Sequence, residues 1–142
     1  MTVRAILSGK GGDVTTLSPA QSVTDAISLL DGARIGAAPV VDRGRVLGVF
    51  SERDVMHCLH RLGADALDKP VEDVMTAPAV TVDPNTPVLA ALSLMTRRRI
   101  RHLPVVEDER LVGIVSIGDL VKHRIDRIEN EAAMMRDYIT SA

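Results

Sequence analysis

Phenylalanine, tyrosine and tryptophan are almost missing from this chain: Phe50 and Tyr138 are the only two, 1% of 142 residues. Recognition of nucleic acid by base stacking therefore has no platform. Cysteine is scarcer still. Cys58 stands alone, which excludes an internal disulfide framework and any zinc site built from several thiolates. No apolar run approaches the roughly 20 residues needed to cross a bilayer. The opening Met1-Thr2-Val3-Arg4-Ala5-Ile6 lacks the apolar stretch of a secretory signal. A cytoplasmic protein without a membrane partner is expected. Charge of one sign is also lacking: 17 Lys and Arg face 19 Asp and Glu, so no global field draws in nucleic acid. What remains, 46% hydrophobic and 25% charged residues, has the balance of one compact globular unit.

The chain does contain a repeat. An offset of 65 residues lays Val14 to Phe50 over Ala79 to Val115 without a gap, matching Pro19 with Pro84, Ala26 with Ala91, Arg34-Ile35 with Arg99-Ile100, and Pro39-Val40-Val41 with Pro104-Val105-Val106. The match runs on into Gly48-x-x-Ser51-x-x-Asp54 and Gly113-x-x-Ser116-x-x-Asp119. The leading segments correspond as well, Val3 to Leu7 with Val71 to Met75, provided Ser8-Gly9-Lys10-Gly11-Gly12 loops out of the first copy. Each copy is thus expected to open on the same short helix. Val23, Ala26, Ile27 and Leu30, like Val88, Ala91, Leu92 and Met95, stand at i, i+3, i+4 and i+7, one buried helical face per copy, with Thr86 as the cap of the second. Two β-rich runs joined around Asp42 to Arg45, and again around Glu107 to Arg110, read as hairpins. A helix carrying Val55, Leu59 and Leu62, and its counterpart from about Asp119, close the units.

The predicted fold is α/β, in the α+β sense: two β-α-β-β-α repeats, 1–66 and 67–124, related by a pseudo-twofold axis. A unit of about 60 residues buries only about 60% of its unfolded surface, so the two should pack together. Residues 125–142 are expected to form an amphipathic helix with no repeat partner. Its Ile125, Ile128, Ala132, Met135 and Ile139 alternate three and four apart, a seam suited to packing back or to dimerisation.

The ordered recurrence of Val71-Glu72-Asp73-Val74-Met75-Thr76, the Pro-x-x-x-Val helix entry, the Pro-Val-Val strand and Gly-x-x-Ser-x-x-Asp resembles a tandem pair of cystathionine-β-synthase (CBS) domains, or Bateman module, over nearly the whole chain. The resemblance implies a non-enzymatic regulatory module that takes an adenine nucleotide (AMP, ADP, ATP, NAD(H) or S-adenosylmethionine) in clefts between the repeats. It also implies a homodimer and an unidentified regulated protein in signal transduction.

On the residues alone, Ser51-x-x-Asp54 and Ser116-x-x-Asp119 are capping boxes as readily as ligand sites: a carboxylate at a helix start can cap N–H groups or accept a ribose diol. The resemblance adds the ribose role. Phosphate needs cations, for which Arg53, Arg101 and His102 are the candidates, whereas Arg97 and Arg98 read as a solvated helix end. The resemblance sets Ile35, Gly36 and Ala37 against the Asp119 site, Ile100, Arg101 and His102 against the Asp54 site, and backbone near Thr15 and Thr81 at the edges. Gly118 stands where the first copy has Arg53, so the two sites should differ. Ser8 to Asp13 lacks the spacing of a phosphate loop. His57-Cys58-x-His60 does not place ligands on one helix face, and no metal is expected. A ligand-free interaction scaffold is the alternative function.

Overall fold

The computed structural model describes residues 1–141; the expected C-terminal helix reaches one residue further, and Ala142 lies outside the described residues. The elements are α1 (Val3–Lys10), α2 (Val23–Ala33), β1 (Ala37–Asp42), β2 (Arg45–Ser51), α3 (Glu52–Leu62), α4 (Val88–Arg98), β3 (His102–Glu107), β4 (Arg110–Ser116) and α5 (Ile117–Ser141), with 3-10 turns at Gly63–Asp68 and Val71–Asp73.

Both expected hairpins are present and carry the same register. Ala37 pairs with Ser51 and Val40 with Gly48 in one; His102 pairs with Ser116 and Val105 with Gly113 in the other; each has an irregularity one residue later. The first strand of each unit shrinks to one bridging residue. Leu17 pairs in parallel with Val40, and Val82 with Val105. The result is a pseudo-symmetric pair of small two-stranded sheets covered by helices, an α+β arrangement.

The opening segments are exchanged between the copies. Val3 and Ile6 of α1 are buried in the second repeat's core, with Val88, Met95, Leu103, Val115 and Leu120. Val71, which opens the second copy, lies in the first repeat's core among Leu17, Val23, Val40 and Phe50. Backbone bonds seal the exchange in matching places: Val3 N–H donates to Thr86 O at 2.9 Å, and Val71 N–H to Gln21 O at 2.7 Å.

The openings are not alike in shape, contrary to the expectation of one shared helix. The first is an α-helix of 8 residues that absorbs Ser8, Gly9 and Lys10, the residues expected to loop out; the second is a 3-10 turn of 3 residues. The longer one is held by its last residue. Lys10 Nζ donates to Ile114 O at 2.9 Å and to Asp119 Oδ2 at 2.6 Å, tertiary bonds that outweigh glycine's poor helix propensity. The cap of α4 also differs, because Pro87 rather than Thr86 stands at its N-cap. Thr86 Oγ1 accepts from Asp83 N–H at 3.3 Å, and the N–H of Val88 is satisfied by Met1 O at 3.1 Å. Finally, the terminal helix does not begin at 125: α5 runs unbroken for 25 residues from Ile117.

Candidate functional site

Two capping boxes face the seam between the repeats. Ser51 ends β2 in an extended conformation and caps α3, its hydroxyl receiving the Asp54 N–H at 3.4 Å. Asp54 answers with Oδ2, which accepts from Ser51 N–H at 2.9 Å and from Ser51 Oγ at 3.1 Å. Its other oxygen reaches across the seam. Asp54 Oδ1 accepts from Thr76 Oγ1 at 2.8 Å, and Thr76 belongs to the segment exchanged from the second copy. In the second repeat Asp119 Oδ2 accepts from Ser116 N–H at 2.8 Å and, in place of a threonine, from Lys10 of the other exchanged segment at 2.6 Å. Each carboxylate thus closes a helix cap and ties down the piece of chain contributed by the other copy.

The two acids sit in different surroundings. Asp54 is 9% exposed and forms part of the wall of a cavity of about 300 Å³ lined by Gly36, Ala37, Val49, Ser51, Glu52, Arg53, Thr76, Ala79, Val80, Arg98, Arg99, Ile100, Arg101 and His102. Four arginines against two carboxylates, Glu52 and Asp54, give this cavity a positive balance. Arg53 also spans it, donating from Nη1 to Arg99 O at 3.3 Å. Apolar surface comes from Ala37, Val49, Ala79, Val80 and Ile100, with no Phe, Tyr or Trp among the lining residues.

The candidate residues distribute as follows. Ser51, Arg53, Asp54, Ile100, Arg101 and His102 come together here. Gly36 and Ala37, assigned by the resemblance to the Asp119 site, line this same cavity: Ala37 pairs with Ser51, and Glu52 N–H donates to Gly36 O at 3.0 Å, which holds the segment beside α3 of its own repeat. Ile35 faces a separate groove between α2 and α3 with Ile27, Leu30 and Val55. Neither Thr15 nor Thr81 lines the cavity; Ala79 and Val80 stand there instead, and Thr81 is exposed beside the Val82 bridge. Arg98, read from sequence as solvated, is a lining residue. Arg99 ends α4 in a left-handed conformation (φ 54°), and this turn wraps 98–102 around the opening. Thr76 and Glu52 carried no signal in the sequence beyond adjacency to motifs. Cys58 is buried with Sγ donating to Val55 O at 3.3 Å, while His57 and His60 are exposed. Among the described residues no group of three metal-ligating side chains gathers.

His102 connects the two sites, pairing with Ser116 in β3–β4 while lining the Asp54 cavity. Burial, then the Arg101 guanidinium and the Lys10 ammonium, lower its pKa against opposing pulls from Asp119 and Glu52, so the ring is neutral at pH 7. For Asp119, burial pushes upward but is outweighed by the hydrogen bonds from Lys10 and Ser116 and by the Lys10 charge, and its pKa is lowered. A depressed carboxylate adds stability above its ordinary pKa and loses it as pH falls through the lowered value. Lys10→Met is therefore expected to lower the melting temperature by about 2–4 °C at pH 7, for a pair whose side chains are 35% and 27% exposed and worth about 1 kcal/mol. The difference from wild type should narrow as pH falls below the ordinary carboxylate range and through the lowered pKa of Asp119, read by calorimetry across that range.

This arrangement of paired hairpins, exchanged openings and twin Ser-x-x-Asp caps matches a known family. The CBS domain model fits residues 4–61 and again 71–126. The chain belongs to the CBS-domain family. Among curated CBS proteins, YhcV of Bacillus subtilis is 38% identical over 120 residues, 84% of this chain and 83% of its own. Among solved CBS structures, ATU1752 of Agrobacterium tumefaciens superposes with a TM-score of 0.83 at 41% identity, covering 87% of this chain and 99% of that one. CBSX2, solved in complex with AMP, superposes with a TM-score of 0.71 at 30% identity over 80% of this chain and 89% of its own. CBS-domain proteins are generally regulatory rather than catalytic. No helix among the described residues is long and apolar enough to cross a membrane.

Proposed function

We propose that this CBS pair is a cytoplasmic, non-enzymatic sensor of adenine nucleotides, which binds one AMP or ATP per chain in the Asp54 cavity and, as a homodimer, biases a regulated protein. The observation that carries the reading is the cavity itself: a carboxylate at the seam, aliphatic walls and four arginines around one space. Asp54 and Ser51 offer acceptors to a ribose diol, Arg53, Arg98 and Arg101 offer bidentate donors to phosphate, and Val49, Val80 and Ile100 flank a base without stacking it. The volume, about 300 Å³, lies at the lower end of ligand sites. It suits a mononucleotide, with further phosphates running out along the exposed arginines, and supports energy sensing over redox sensing through the larger NAD(H). Occupancy would bear on the Asp54–Thr76 bond, and so on the contact between the repeats. A ligand has to prefer one arrangement of that contact to act as a signal.

The second cleft is placed differently. Lys10 already holds Asp119, and Gly118 supplies no cation opposite it, which supports a single site. The alternative, a ligand-free scaffold, draws support from the hydrogen bonds both acids already make. A panel of AMP, ADP, ATP, NAD, NADH and S-adenosylmethionine separates the two. The sensor predicts a rise of about 8 °C in melting temperature at a hundred times Kd, with one equivalent bound per chain by titration calorimetry. Unchanged melting across the panel leaves the scaffold.

A further inference from the structure

The second half of α5 projects an apolar stripe into solvent. Ile125 is 49% exposed, Ile128 50%, Met135 61% and Ile139 66%. With Val121 and Ala132 they form an unbroken heptad seam, Ile125, Ala132 and Ile139 at a, Val121, Ile128 and Met135 at d. Among pairings that bury the whole seam from Val121 to Ile139, the flanking charges choose the direction. Arg124 and Glu131 occupy g; Lys122, Glu129 and Arg136 occupy e. In a parallel pair each g residue meets the e residue five positions on in the other helix, which sets Arg124 against Glu129 and Glu131 against Arg136, each twice by symmetry. In an antiparallel pair with Ile125 on Met135 and Ile128 on Ala132, Glu129 would face Glu129, Glu131 would face Glu131, and Lys122 would face Arg136. Every opposition between two charged residues is then between like charges.

We propose that the C-terminal half of α5 pairs in parallel, as a two-stranded coiled coil, with α5 of a second copy of this chain. The proposal specifies the homodimer of the preceding section and uses nothing of its nucleotide reading. The test uses the full chain, whose own Cys58 is 2% exposed and out of reach. Light scattering should give a dimer. Under mild oxidation Ile125→Cys and Ile139→Cys should each cross-link to themselves, while Asp126→Cys, on the outer face, should not. An antiparallel coil would hold the two copies of residue 139 about 27 Å apart at 1.5 Å per residue, so an Ile139→Cys that fails to cross-link in a scattering dimer overturns the proposal. Arg136→Glu should weaken the dimer roughly tenfold, and adding Glu131→Arg in the same chain should restore it. A monomer at all concentrations, or an Arg136→Glu dimer as tight as wild type, also overturns it. Nucleotide-induced stabilisation measured on these variants reports separately on the Asp54 cavity.

Discussion

Alanine at Gly48 is expected to lower the melting temperature by roughly 6–10 °C, an overpacking cost of about 2–3 kcal/mol, whereas alanine at the equivalent Gly113 should cost less than half as much. The positions match in the repeat but not in what leans on them. A Cβ on Gly48 would lie 2.6 Å from Thr76 O and 2.8 Å from Met75 Sδ. Thr76 O cannot retreat cheaply, because it accepts from Val49 N–H at 2.9 Å while Thr76 N–H returns a bond of 2.9 Å to Val49 O. A Cβ on Gly113 would instead meet Leu7 Cδ2 at 2.6 Å, the far end of a side chain that can change rotamer. Displacing Thr76 also removes a partner of Asp54, so Gly48→Ala should weaken nucleotide binding as well. Paired calorimetric scans of the two variants decide the matter; equal losses would mean that the bridge is softer than its bond lengths imply.

Asp54→Ala is expected to abolish nucleotide-induced stabilisation, while Asp119→Ala leaves it within about 2 °C of wild type, less than 1 kcal/mol. Asp54→Ala should in addition lower the melting point of the free protein by about 5 °C, since Ser51 N–H and Thr76 Oγ1 lose their acceptor at a cost of about 1–2 kcal/mol. Comparing each variant with and without AMP or ATP separates the two effects. Equal responses from Asp54→Ala and Asp119→Ala would contradict a single site at Asp54.

Much of the frame could be read in advance because it is written in short-range pattern. Hairpins announce themselves through Pro-Val-Val and Gly-x-x-Ser, and the caps through Ser-x-x-Asp, all within a few residues. The exchange of the openings could not. The repeat aligns Val3 with Val71 equally well whether each opening packs on its own repeat or on the other; the backbone bonds from Val3 to Thr86 and from Val71 to Gln21 distinguish them. The same exchange hid Thr76 and Lys10, which meet Asp54 and Asp119 across 22 and 109 positions of chain. Lys10 was further masked by its glycine neighbours, which argue for a loop until the bonds to Ile114 and Asp119 are counted. Arg98 was lost for a local reason: the left-handed turn at Arg99 needs no glycine here, so nothing marked the chain as doubling back toward the seam.

Because each core is completed by a segment from the opposite copy, the tandem chain has the topology of a domain-swapped dimer made covalent. A lone half-length chain, whether 1–66 or 67–141, would carry a finished hairpin and a segment cut for somebody else's core. It could fill its own vacancy only by trading that segment with a second identical half. Duplication and fusion would then turn a concentration-dependent association into an intramolecular one, and free the two openings to diverge into the unlike pair seen here, an eight-residue helix ending in a lysine and a three-residue turn followed by a threonine.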